Sequence, residues 1–79
     1  MRAEDVAKAL DPERFHPFAL KLSNGDQYEI RHPEQVLVAR STIAVGIQRR
    51  DGRRYFERLD TVALLHVVSL VPLSETEVK

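Results

Sequence analysis

Apolar and polar positions follow two periods along this chain, and the change between them divides it. Near the start, Ala3, Val6, Ala7 and Leu10 fall at i, i+3, i+4 and i+7 and make one apolar stripe. Glu4 and Asp5 suit the positive end of a helix dipole, and Asp11-Pro12 stops the run. The pattern predicts a helix over residues 2–10. A helix this short is marginal alone and has to dock on something.

After His16-Pro17 the period becomes two. Phe18, Leu20 and Leu22 alternate with Ala19, Lys21 and Ser23, and beyond the turn Tyr28 and Ile30 alternate with Gln27, Glu29 and Arg31. A two-residue Asn24-Gly25 loop would set Leu20 opposite Glu29. A three-residue loop, Ser23 to Gly25, sets Leu20 opposite Tyr28 and Phe18 opposite Ile30, with Gly25 at the left-handed position. The second register is expected, because a slip of one residue turns a whole strand inside out. His32-Pro33-Glu34 then interrupts the ladder. Val36 and Val38 resume as a short strand, and 42–48 is another, with Ile43, Val45 and Ile47 on one face. Asp51-Gly52 reads as a second hairpin turn. Residues 53–59 read as a poorly patterned strand, and Asp60-Thr61 as the way into a helical turn or tight connection at 62–65. Residues 66–73 read as the last strand, with Val67 and Val71 on one face and Val68 and Leu70 on the other. A strand apolar on both sides is central or is paired with another subunit. A short helix followed by about five closely spaced strands predicts a mostly β fold, a small closed or nearly closed barrel over residues 17–73. Residues 74–79 read as a frayed tail. Tyr28, Phe18 and Phe15 fit the interior.

Length and composition narrow the class. Seventy-nine residues make one domain, 1–79. A domain this small hides only about 60–65% of its unfolded surface, so oligomerisation is a natural remedy. With no cysteine, the chain is neither a disulfide scaffold nor a Cys-ligated metal protein. Its apolar runs are far short of the ~20 residues that a membrane helix needs. Acidic Glu4 and Asp5 stand where a signal peptide carries apolar residues, so a cytoplasmic location is expected.

The formal net charge is zero, but the charge is unevenly placed. Between Arg40 and Arg58 there are six arginines against Asp51 and Glu57, a net +4. Arg49, Arg50, Arg53 and Arg54 flank the Asp51-Gly52 turn, and crowding them at one tip costs a few tenths of a kcal/mol per facing pair, roughly. Phosphates would offset that repulsion, which makes the tip a candidate RNA contact. A solvated tip that blunts an edge is the plainer alternative. Tyr55 and Phe56 lie to one side of it only.

Catalysis finds little support. The three glycines lie apart at 25, 46 and 52, so there is no phosphate-binding loop. His16, His32 and His66 lack metal-ligand spacing. His32 beside Glu34 is adjacency without geometry, and a core this small leaves little room for a pocket. No enzyme activity, metal or cofactor is expected.

The run from Phe18 to Asn24-Gly25 resembles the first Sm motif, an apolar-alternating strand ending in Asn-Gly. The segment 65–72, Leu-His-Val-Val-Ser-Leu-Val-Pro, is similar to the final strand of the bacterial RNA chaperones of the Hfq family. Glu34-Gln35-Val36-Leu37-Val38 is similar to that family's Asp-Gln-Phe segment. The chain also resembles a group of short bacterial proteins with His-Pro-Glu after the second strand and Leu-His-Val-x-Ser-Leu at the end. The likeness spans residues 3–72. It implies a bent five-stranded Sm-like (SH3-like) barrel assembled into homo-oligomeric rings, the fourth strand of one subunit pairing with the fifth of the next. The interface candidates are then Phe56, Val67, Val68, Leu70 and Val71. By position the resemblance also implies RNA contacts at Gln35 and His66. The family's lysine before the histidine is here Leu65, and its base-stacking aromatic is Val36, so two usual RNA contacts are missing. For His66 the alternative is a histidine at a strand end with a satisfied hydrogen bond. Two readings follow: a non-enzymatic Sm-like ring that contacts RNA, and a protein-interaction or scaffold module of Sm/SH3-like shape with no nucleic-acid role.

Overall fold

The computed structural model describes residues 1–51 and 54–73. Gly52 of the expected Asp51-Gly52 turn, Arg53 and the expected tail, 74–79, lie outside the described residues. The chain forms one helix, α1 (Ala3–Ala9), and six strands: β1 (Phe18–Leu22), β2 (Gln27–Ile30), β3 (Val36–Val38), β4 (Thr42–Ile47), β5 (Arg58–Ala63) and β6 (Val67–Pro72). Single 3₁₀ turns, Pro33–Gln35 and Leu64–His66, precede β3 and β6. The strands make two antiparallel three-stranded sheets, ordered β2-β1-β6 and β3-β4-β5.

The mostly β class with one short N-terminal helix is as expected, but five strands become six, and hydrogen bonds close no barrel among the described residues. The cause lies at the corner between β2 and β3. Pro33 has no N–H to give a ladder, and the 3₁₀ turn it opens divides what would be one bent strand into two short ones.

The first hairpin takes the three-residue register, with Phe18 opposite Ile30 and Leu20 opposite Tyr28. Gly25 has φ +94°, a conformation that costs a side chain dearly. Helix α1 begins with the Asp5 carboxylate accepting the Arg2 N–H at 3.3 Å and docks through Val6 and Leu10, lying against β3. Val6, Leu20, Ile30, Ile43 and Val45 are fully buried between the sheets and the helix. Each such aliphatic side chain contributes about 1.5–3 kcal/mol. Phe18 is buried, and half-buried Phe15 lies 6.0 Å from it ring to ring.

Two expectations fail in the second half. Pairing between β4 and β5 starts only at Ile47–Arg58 and runs to Thr42–Ala63. Asp60-Thr61, expected near a turn, is therefore mid-strand, and the described residues 54–57 are not strand. Tertiary pairing outweighs local propensity here, as it often does in strands. The inward face of β6 also differs from expectation. Lys21 faces Ser69 but Leu22 faces Val67, so Val68 is the extra residue of a bulge. The bulge turns Val67 and Leu70 toward the core and leaves Val68 and Val71 outside.

Candidate functional site

Between β4 and β5 the chain carries its basic stretch. Arg49 is held firmly: its Nε donates to Asp51 Oδ1 at 3.0 Å and its Nη2 to Asp51 Oδ2 at 2.7 Å. Those bonds push the Arg49 pKa up from its ordinary value. The guanidinium lies 4.7 Å from the centroid of the Tyr55 ring, a cation–π distance. Phe56 folds its ring over Gly46, where a Cβ would stand only 2.6 Å from the ring. His32, Glu34, Gln48, Arg49, Arg54, Tyr55 and Phe56 line a concavity of about 400 Å³. Arg50 lines a neighbouring depression, which shares Gln48 and Arg49 with the first and adds Glu57 and Arg58. The structure thus brings Arg49 and Arg54 to one concavity and sets Arg50 in the depression next to it.

Gln35 and His66 stand apart from that region and from each other. Gln35 is 6% exposed. Its Nε2 donates to the carbonyls of Glu29 and Gly46, each at 3.0 Å, and its Oε1 accepts the Arg31 N–H at 2.9 Å. The amide stands in for the ladder that Pro33 interrupts and ties β2 to β4. Both of its donors are engaged, which leaves it no donor to offer RNA. His66 is exposed beside the first hairpin turn, its Nδ1 3.4 Å from Ser23 Oγ and its carbonyl accepting the Ser23 N–H at 2.8 Å. His66 closes the 3₁₀ turn that leads into β6.

The sheet edges carry the other candidates. Among the described residues no strand pairs with the outer edge of β5 or of β6. Of the six large apolar residues left exposed, four lie on these strands or the turn between them: Leu59, Leu65, Val68 and Val71. Val71 is 40% exposed, Val68 57% and Leu65 83%. Val67, expected at an interface, is instead a core residue because of the bulge. Leu70 is half-buried against the core, and Phe56 is occupied by Gly46.

One polar network crosses from sheet to sheet. The Tyr28 hydroxyl donates to Asp60 Oδ2 at 2.8 Å, and Arg58 Nε donates to Asp60 Oδ1 at 2.9 Å. The two bonds, Arg58's first, hold the Asp60 carboxyl below its ordinary range. Burial, then the Asp60 bond, push the Tyr28 hydroxyl up.

Among the described residues no group of His, Asp and Glu is placed to hold a metal ion, and no helix is long and apolar enough to cross a membrane. The sequence reading missed Glu34 and Gln48 as neighbours of the arginines. The available signal was Tyr55, an aromatic one residue from the basic run. No protein-family model matches the chain, and no curated protein or solved structure is similar to it.

Proposed function

We propose that this chain is a non-enzymatic Sm-like module that assembles with copies of itself through the outer edges of β5 and β6 and contacts RNA through the arginines between β4 and β5. The observation that carries the reading is the pair of unpartnered edges. Each strand is six residues long, and the exposed apolar side chains gather on them. An open, apolar edge is a template for another strand. Of the other two outer edges, β3 has α1 packed on it and β2 has its Glu29 carbonyl bonded to the Gln35 amide. Because β5 and β6 belong to different sheets, joining β5 of one copy to β6 of the next is a head-to-tail contact, which builds a ring when its rotation closes. The resemblance of the first hairpin and of the terminal segment to the Sm family supports the same arrangement. Arg49, Arg50 and Arg54, with Arg53 outside the described residues, supply the positive charge for phosphates.

Light scattering tests the assembly. The protein is expected to sediment and scatter as a multimer of the 9.1 kDa chain at micromolar concentration. Val68→Glu with Val71→Glu, both at exposed positions, is expected to return it to a folded monomer. A wild-type chain that is strictly monomeric under those conditions overturns the reading.

A second reading is a scaffold module of the same shape with no nucleic-acid role. It is favoured by how many cations already have acidic partners: Arg31 with Glu29, Arg49 with Asp51 and Arg58 with Asp60. Absence of any RNA binding at low salt leaves this reading standing.

A further inference from the structure

We propose that the concavity between the β2–β3 corner and the β4–β5 connection is a site for one unpaired nucleotide, its base stacked at Tyr55, its edge read by Glu34 and Gln48, and its phosphate met by Arg54. The proposal deepens the RNA-contact reading and rests on it, and to the arginines of the charge pattern it adds base contacts at Tyr55, Glu34 and Gln48.

The volume, about 400 Å³, lies in the range of small-ligand pockets, roughly 300–1,000 Å³. Its wall is a preformed stacking platform. Tyr55 is 58% exposed, and one side of its ring is covered by a guanidinium that two bonds to Asp51 hold in place. Bases stack on tyrosine rings and on guanidinium planes alike. Here both surfaces are in position before a ligand arrives, so little side-chain freedom is lost on binding. Phe56 forms the floor, and it reaches that place because residue 46 has no Cβ.

The charges argue against a bare anion and for a base. Glu34 lines the same concavity as Arg49 and Arg54, yet among the described residues its carboxylate makes no ion pair with either. A carboxylate at an arginine site repels free phosphate but accepts hydrogen bonds from a base edge. Guanine offers a carboxylate two adjacent donors, its N1–H and its 2-amino group. Adenine and cytosine offer an amino group, and uracil offers one ring N–H. Gln48 has both a donor and an acceptor for the remaining edge positions. Arg54, which makes no ion pair among the described residues, is left for the phosphate. Guanine is therefore the expected preference and uracil the weakest ligand.

The test titrates ¹⁵N-labelled protein at low salt with the four nucleoside 5′-monophosphates, with inorganic phosphate, and with short single-stranded RNA rich in guanine or in uracil. The expected result is that guanosine monophosphate and guanine-rich RNA shift the amides of Glu34, Gln48 and Tyr55. Tyr55→Ala weakens both by about tenfold or more, the scale of one lost stacking contact. Tyr55→Phe retains binding, and Glu34→Gln levels guanine with uracil. Both exposed positions leave the folded amide spectrum in place. Inorganic phosphate shifting the same amides as strongly as the nucleotides overturns the proposal in favour of an anion-only site. RNA that binds indifferently to Tyr55→Ala and Glu34→Gln overturns it while leaving the RNA contact intact. Mononucleotide binding with no RNA binding supports the site and removes RNA as its source of ligand. No binding of either removes both readings.

Discussion

Gln35 and Tyr28 both tie the first sheet to the second, and they do it with opposite chemistry. Gln35 is buried and neutral, and all three of its partners are backbone groups, on Arg31, Glu29 and Gly46. Tyr28 is half-buried, and its partner is a carboxylate that a further charged side chain, Arg58, also holds. The buried connection needs no charge and answers to no titration. The half-exposed one depends on the protonation of two groups. Gln35, whose partners are all backbone, is thus structural. An amide that the Sm resemblance places in an RNA contact has become part of the frame.

Removing the buried connection is expected to have the largest effect. Gln35→Ala leaves the Glu29 and Gly46 carbonyls and the Arg31 N–H without their partner, and each unsatisfied buried group costs about 1–3 kcal/mol. Water reaches some of them, so the expected loss is about 3 kcal/mol in urea unfolding, equal at acidic and neutral pH. A loss below about 1 kcal/mol would return the Gln35 amide to the pool of ligand candidates and end the contrast.

Gly46 sits where the buried connection meets the candidate site, its carbonyl bonded to Gln35 on one side and its Cα under Phe56 on the other. A methyl group at 46 would stand 2.6–2.7 Å from three ring carbons of Phe56, so the ring has to move. Gly46→Ala is expected to cost about 1–2 kcal/mol through overpacking, and to disturb nucleotide binding by lifting the floor of the concavity. The double variant Gly46→Ala, Phe56→Ala separates the causes. If the ring clash is the whole cost, the double variant is no less stable than Phe56→Ala alone. An additive loss would instead place the damage at the Gln35 bond.

Much of the frame was legible in the residues. The first hairpin was readable to the register, because only one loop length puts Leu20 opposite Tyr28 and a glycine at the left-handed position. The inward face of β4 followed from Ile43 and Val45 alone. Three features were not legible, each for a physical reason. The bulge at Val68 leaves an alternating apolar run unchanged as text while it reverses which of its residues face inward. Asp60-Thr61 looks like a turn until Tyr28 arrives from the other sheet to join Arg58, two residues upstream on the same strand, in satisfying the carboxylate. Gln35 looks like any surface polar residue, since its partners are carbonyls that have no letter in a sequence. Of the candidate site, the arginines were visible as charge. Their sorting into one arginine fixed by Asp51 and another that lines the same concavity as Glu34 depends on how the connection folds.

The half-exposed connection gives the smallest effect and the sharpest contrast, because its sign depends on pH. Asp60 titrates below its ordinary 3.8 in the folded chain. Its contribution is therefore present above that value and is lost as pH falls through the lower folded one. Tyr28 titrates above its ordinary 10.0. Its contribution is present below that value and is lost as pH rises through the higher folded one. The two limbs bracket a neutral plateau. Asp60→Asn is expected to flatten the acid limb of the urea midpoint, between about pH 5 and pH 2. Tyr28→Phe is expected to remove the alkaline limb and to shrink the acid one, since Asp60 then keeps Arg58 alone. Gln35→Ala is expected to lower the whole curve and leave both limbs in place. An Asp60→Asn protein with the wild-type acid slope would assign that slope to other carboxylates and reduce the Tyr28–Asp60–Arg58 crossing to a surface contact of no consequence for stability.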